Sequence, residues 1–408
     1  MTSEKVISRK SFSIAIILIG LVIAAVGIVM QVLPHEGLYD LPILLIMIGA
    51  IVALFGLRQF FGSKKLGSGI SFSGKSVLQF VADKAIILAL LVLVVVICFL
   101  QPSFMQVRVV FDILTQSSPK LVIALGICFS LIIAGTDLSA GRMVGLSAVI
   151  ATSMLQTADY GNRFFPDMPQ LSIIIPIVAA IFACMLFGLL NGFLVAQFGM
   201  HPFIATLAVQ TIVYGVCSLY FDMAPNNSQP IGGVRPDFTA IGQTKFFVVP
   251  KVFNGVSILI PIAAVICFVI WFILNKTTFG KNVYAIGGNK EAAVVSGVNV
   301  YATILFVFII GSLLYGFGGI LEAARTAGAT NQYGLGYETD AIAACVVGGV
   351  SMTGGVGKIS GIITGVLIFT VIQYGLQFVG ISPMWQQVIK GIIIAAAVAI
   401  DLSKYKKK

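Results

Sequence analysis

Seven ionisable side chains stand in or beside strongly apolar runs: Asp137, Arg142, Glu322, Arg325, Asp340, Lys358 and Lys390. Charge in such surroundings is costly unless it is paired or faces water, so these residues are the first candidates for function. Asp137–Arg142 and Glu322–Arg325 each have two readings. Each is either a local structural pair fixing a Gly-rich turn or part of the lining of a polar path. Ser139, Asn191 and Asn331 add hydroxyl and amide groups that can meet a polar cargo or bridge two helices. Together Asp137, Ser139, Arg142, Asn191, Glu322, Asn331 and Asp340 form the candidate path set. Catalysis is not indicated: there is no HExxH, no Ser–His pair and no clustered carboxylates. The six cysteines fall within apolar runs without metal-ligand spacing, and His35 and His201 make no cluster, so no metal site is expected.

Gly69-Ile-Ser-Phe-Ser-Gly74-Lys75-Ser76 matches a phosphate-binding loop letter for letter. A working loop of that kind follows a buried strand and opens a helix whose N-terminus cradles phosphate. Here it sits in a short basic linker with no nucleotide domain around it. A flexible Ser/Gly linker is the better reading.

A different loop has the right context for docking. In Ala285-Ile-Gly-Gly-Asn-Lys-Glu-Ala-Ala-Val-Val-Ser-Gly297, Asn289 can cap a short helix and Glu291 falls near its positive end. Ala292, Ala293 and Val295 then make a small apolar face suited to a groove on a partner. Gly288, Asn289, Glu291, Ala292, Ala293 and Gly297 are the residues assigned to that contact.

The elements that carry these groups follow from composition. Of 408 residues, 58% are hydrophobic and 10% charged, and the mean hydropathy is +1.05. Soluble chains carry about 25% charged residues, so a soluble enzyme, a disordered chain and a disulfide scaffold are excluded. Twelve apolar segments are expected near 12–33, 41–61, 84–101, 119–135, 143–157, 171–198, 203–221, 256–275, 301–320, 338–352, 356–378 and 386–402. Segments 143–157 and 338–352 are short and Gly-flanked, and read as broken or half-depth helices covered by protein.

Most Lys and Arg lie in four regions that an even number of crossings places on one side: Lys5–Lys10, Arg58–Lys84, Lys276–Lys290 and Lys404–Lys408. That pattern puts both termini inside and explains the net charge of +10 without nucleic acid. The fold class is an all-α polytopic membrane protein. Residues 1–62 read as a two-helix appendage, 63–79 as a cytoplasmic linker and 80–408 as a core of about ten helices. Gly135-Thr-Asp-Leu-Ser-Ala-Gly141 and Gly348-Gly-Val-Ser-Met-Thr-Gly354 share a glycine spacing, which points to an internal repeat with the path between its halves.

Several blocks resemble a known family. The Glu291-Ala-Ala and Gly297 spacing resembles the cytoplasmic loop of ATP-binding-cassette importer permeases. Thr136-Asp-Leu-Ser-Ala-Gly-Arg-Met-Val-Gly145 looks like the signature of their monosaccharide branch. Phe279-Gly-Lys-Asn, Phe317-Gly-Gly-Ile-Leu-Glu-Ala-Ala-Arg325, Glu338-Thr-Asp-Ala and Trp385-Gln-Gln-Val-Ile-Lys-Gly391 follow in family order. The likeness covers about residues 80–408 and is nearest the galactose/methyl-galactoside members of the ribose/xylose/galactose group; residues 1–75 depart from it.

The resemblance implies a permease in a bacterial inner membrane, moving a monosaccharide inward by ATP-driven alternating access. It also implies a separate cassette ATPase that binds the ATP, an extracytoplasmic sugar-binding protein and a second permease copy, all within membrane lipid. No cofactor of the chain's own is expected. An ion-coupled secondary sugar transporter, with Asp137 and Asp340 as its carboxylate relay, is the alternative.

Overall fold

The computed structural model describes residues 101–248 and 255–405, with Val94, Ile97 and Cys98 before them. The expected N-terminal helix pair, the linker and the phosphate-loop match lie outside the described residues. Those that are described fall into two compact units, one holding 101–112 with 371–386 and the other 113–370 with 387–405. In the first unit, the Phe104 ring meets Phe378 edge-on at 5.4 Å and Tyr374 at 6.3 Å.

Twelve α-helices follow in order: α1 (Val107–Ile132), α2 (Ala140–Met154), α3 (Ile174–Phe198), α4 (Pro202–Asp222), α5 (Pro236–Gln243), α6 (Leu259–Lys276), α7 (Thr278–Gly288), α8 (Lys290–Val295), α9 (Val300–Thr326), α10 (Tyr337–Val347), α11 (Ile359–Phe378) and α12 (Pro383–Tyr405). A two-residue hairpin, β1 (Lys245–Phe246) and β2 (Val256–Ser257), is the only sheet among the described residues. Among the described residues, six helices are long and apolar enough to cross a membrane: α1, α3, α4, α6, α9 and α11.

The expected segment 119–135 is displaced. Helix α1 starts at Val107, before the apolar run begins, and carries Pro119 inside it. Helix propagation costs little once a turn exists, so the polar stretch Asp112–Ser118 continues the helix that hydropathy alone would end. Ser117 and Ser118 turn their hydroxyls onto the Leu114 carbonyl at 2.9 and 2.8 Å. That removes two polar groups from the apolar surroundings.

Helix α9 is the hub of the second unit, packing along α2, α3, α5 and α7. Small residues make the closest of these contacts possible. A Cβ on Gly319 would lie 2.4 Å from the Val144 carbonyl oxygen and 2.2 Å from the Ser147 hydroxyl. Close backbone approach of this kind replaces the hydrophobic drive that lipid removes. Helices α3 and α4 face outward with apolar side chains, among them Phe182, Leu186, Ile212, Val216 and Leu219.

The two short segments are short in the structure too. Helix α2 has 15 residues and α10 has 11. At 1.5 Å per residue they rise about 22 and 16 Å, against about 30 Å of hydrocarbon. Both are buried over most of their length.

Loop contacts sort the connections into two ends. At one end the Gly355 amide donates to Ile132, the Tyr284 hydroxyl donates to Gly357, and Thr206 joins Leu138 and Thr136. At the other, Thr157 bonds Gly233, Arg235 bonds Leu155, and Ile231 pairs with Ala329.

Gly319→Leu should force α2 and α9 apart, and membrane yield and the detergent melting midpoint should fall. Gly391→Leu, at a position where an added Cβ meets nothing within 4 Å, should leave both near the parent. Equal behaviour of the two variants would show that the close contact is not needed.

Candidate functional site

The loop before α2 brings the first candidates together. Asp137 accepts from the Ser139 amide at 3.0 Å and its hydroxyl at 2.6 Å, and from the Tyr315 hydroxyl at 3.2 Å. Asn191 of α3 donates to the Ser139 hydroxyl at 2.9 Å. All four side chains are buried, and together they tie the start of α2 to α3 and α9. Asp137 does not pair with Arg142, so the local-pair reading of those two is corrected. Arg142 stands in the first turn of α2, and its guanidinium lies 4.2 Å from the centre of the Tyr214 ring on α4.

Glu322 and Arg325 do form a local pair, at 2.7 Å, one helical turn apart on α9. Tyr337 adds its hydroxyl to the Glu322 carboxylate at 3.1 Å. On α10, Asp340 receives the Lys390 ammonium of α12 at 2.9 Å. Lys120 of α1, absent from the candidate set, lies within electrostatic reach of Asp340, Glu322, Lys390 and Arg325. Buried charges of both signs gathered in this way compensate one another where water is scarce. Lys358 stands apart, exposed before α11.

Asn331 belongs to a third group. Its amide donates to the Ser218 hydroxyl at 3.3 Å, and the neighbouring Gln332 amide donates to the Tyr214 hydroxyl at 3.2 Å. Tyr214, Ser218, Gln332 and Lys120 carry no motif. Only the four-residue spacing of Gln210, Tyr214 and Ser218 along an apolar helix marks them in the sequence.

The 285–297 loop forms the short helix capped at Asn289 that its spacing predicts. Asn289 caps α8 by accepting the Ala292 amide at 2.9 Å, and Glu291 stands in its first turn. Its apolar face is different, because Ala293 turns inward and is buried. Ala292, Val294 and Val295 face out, Val295 being 89% exposed. Gly297 ends the helix with a left-handed φ of 81°, and Gly288 is exposed before it. Just upstream, a Cβ on Gly287 would fall 1.7 Å from the Ile132 carbonyl oxygen. Burial pushes the Tyr284 phenol above its usual range, keeping it a donor to Gly357.

Arg325→Met leaves Glu322 charged and buried, so stability should fall by about 3 kcal/mol, read as a lower thermal midpoint. Adding Glu322→Gln should recover most of the loss, because the orphaned charge is gone. A double variant as unstable as the single one would contradict the pairing.

Among known proteins, the family described as branched-chain amino acid transport system / permease component matches residues 109–398. The galactose/methyl galactoside import permease protein of Haemophilus influenzae is 49% identical over 326 residues, 80% of this chain and 96% of its own length. Its Escherichia coli counterpart is 48% identical over 336 residues, 82% of this chain and 98% of its own. The ribose import permease protein of Bacillus subtilis is 35% identical over 321 residues, 78% and 92% of the two chains. No solved structure matches the chain. A family match over most of the sequence, relatives aligned along nearly their whole length and a bundle of apolar helices agree: the chain belongs to this family of transport-system permease components.

Proposed function

We propose that this chain is the membrane-spanning subunit of an ATP-driven importer. Its cargo is a monosaccharide of the galactose/methyl galactoside type. The observation that carries the reading is the 48% identity to a galactose permease over 98% of that relative's length. The chain sits in a bacterial inner membrane as a multi-pass protein with both termini cytoplasmic. A separate cassette ATPase binds and hydrolyses ATP, an extracytoplasmic binding protein delivers the sugar, and a second copy of the chain completes the path.

The docking geometry supports the ATPase contact. Helix α8 is short, capped at Asn289, ended at Gly297 and anchored by buried Ala293, so it moves as one piece. Val294 and Val295 offer an apolar contact to a groove on the ATPase. Movement of α8 passes through α7 to Gly287, whose backbone lies against Ile132 at the end of α1 and against Gly354. Closure of the ATPase pair would therefore shift α1 and the loop before α11 together. Alternating access follows from that displacement. Within the path set, Arg142 and Asn331 reach the surface of α4, whereas Asp137, Ser139, Asn191, Glu322 and Asp340 hold helices together.

ATP-dependent galactose uptake into proteoliposomes holding the chain, its cognate ATPase and its binding protein tests the reading. Uptake without ATP or ATPase, abolished by Asp137→Asn, would instead establish an ion-coupled transporter. Val295→Arg should insert normally, because an added positive charge favours the same inside orientation. It should nevertheless recover little ATPase on purification and lose most uptake. Parental co-purification and uptake in that variant would remove α8 from the contact. A cysteine at Lys290 should label only from the cytoplasmic side and one at Gln229 only from outside; the reverse labelling would invert the topology.

A further inference from the structure

One half-buried edge of α4 departs from the apolar character of most of its exposed surface. Ile212, Val216 and Leu219 are apolar and 46%, 43% and 75% exposed, as a lipid-facing surface requires. Beside them Gln210, Tyr214 and Ser218 recur at every fourth position, so they stack along one edge of the helix. Tyr214 falls near the middle of this 21-residue span, where an uncompensated polar group costs several kcal/mol. Three polar side chains in register at that depth need either protein or water against them.

What meets them is a fixed scaffold with loosely engaged side chains. The loop carrying Asn331 and Tyr333 lies against α2, where a Cβ on Gly145 would come within 2.6 Å of the Tyr333 carbonyl oxygen. From that loop Asn331 reaches Ser218 at 3.3 Å and Gln332 reaches Tyr214 at 3.2 Å. Both bonds lie at or beyond the long end of the normal range and are therefore easily exchanged. Gln332 is exposed. Arg142 lays its guanidinium on the Tyr214 ring, and its Nη1 has no hydrogen-bond partner among the described residues.

Resting on the importer reading above, we infer that Arg142, Gln210, Tyr214, Ser218, Asn331 and Gln332 form a transient binding subsite for the hydroxyls of a neutral sugar. Amides, hydroxyls and a guanidinium fork all donate to or accept from hydroxyl groups, and the tyrosine supplies a flat ring for the sugar's C–H face. Apart from Arg142 the groups of this set are uncharged amides and hydroxyls, which suits a neutral sugar better than a sugar acid. Long bonds give brief occupancy, and a carrier must release what it binds. The assembled transporter wets this edge, whereas Ile212, Val216 and Leu219 stay in lipid.

Thiol accessibility and transport kinetics test the assignment separately. Five of the six native cysteines are buried, so replacing half-buried Cys98 by serine gives a quiet background. On it, Gln210→Cys, Ser218→Cys and Gln332→Cys should react with a charged methanethiosulfonate at least about tenfold faster than Val216→Cys, because water and not lipid surrounds them. Added D-galactose during ATP turnover should slow the reaction. Tyr214→Phe keeps the ring and loses the hydroxyl; with Gln332→Leu it should cut galactose uptake by about fivefold each, the worth of one hydrogen bond. Membrane yield and co-purification of the ATPase should stay near the parent in both, and Gln332→Asn should restore part of the uptake.

Stripe cysteines no more reactive than Val216→Cys, or parental uptake in both variants, would overturn the subsite. A parent that imports no galactose with its ATPase would overturn the importer reading instead, and the accessibility result would still report whether the edge is wet.

Discussion

Helices α2 and α10, at 15 and 11 residues, are too short to span about 30 Å of hydrocarbon and are largely buried, so the unpaired backbone groups at their starts have to be covered by protein. Helix α2 solves this with Asp137, which takes the Ser139 amide and hydroxyl, while Tyr315 and Asn191 close the network from α9 and α3. The carboxylate also stands at the positive end of α2. Helix α10 carries Glu338 and Asp340 in its first turn, with the Glu338 carboxylate pressed against the Gly141 backbone of α2. The two half-depth ends thus cover one another. Glycine at 141 is the condition for that, since any side chain there would occupy the place of the carboxylate.

Once those ends are paired, the position of α9 is fixed. It must bring Tyr315 to Asp137 and Glu322 to Tyr337, and Gly319 lets it lie close enough on α2 to do both. The Gly287 junction follows the same logic at the end of the bundle. Backbone packed directly on backbone, without side chains between, transmits displacement with little compliance. Under the coupling proposed above, a displacement of α8 would pass through such a joint to α1 instead of bending the loop.

The sequence made much of this legible, and its failures share one cause. Signals that are local survived: the Asn289 cap, the Glu322–Arg325 turn, the two short helices and most segment limits all depend on neighbours within a few residues. Direction across the fold did not survive. The inward turn of Ala293 depends on what packs beneath α8, and the start of α1 at Val107 depends on helix continuation through polar residues. One of the two readings of Arg142 pairs it with Asp137, five residues away. In the structure it finds Tyr214, 72 residues away, and the Gln332–Tyr214 bond likewise joins distant segments. A serine and a tyrosine four residues apart in an apolar helix carry meaning only when the loop opposite them is known.

The polar groups of this protein then divide by how firmly they are held. The Glu322–Arg325 and Asp340–Lys390 pairs, at 2.7 and 2.9 Å, join charge to charge, and removing one partner would leave the other less compensated where water is scarce. Such contacts cannot exchange with a passing neutral molecule, because a hydroxyl cannot replace a counter-ion. The amide–hydroxyl contacts at Ser218 and Tyr214 are uncharged and longer, so a sugar hydroxyl can substitute for either side at little net cost. Firm ionic contacts therefore make the frame, and the loose neutral ones are those that the proposed subsite uses. A neutral cargo suits this division, since it can engage the second class of contact without disturbing the first.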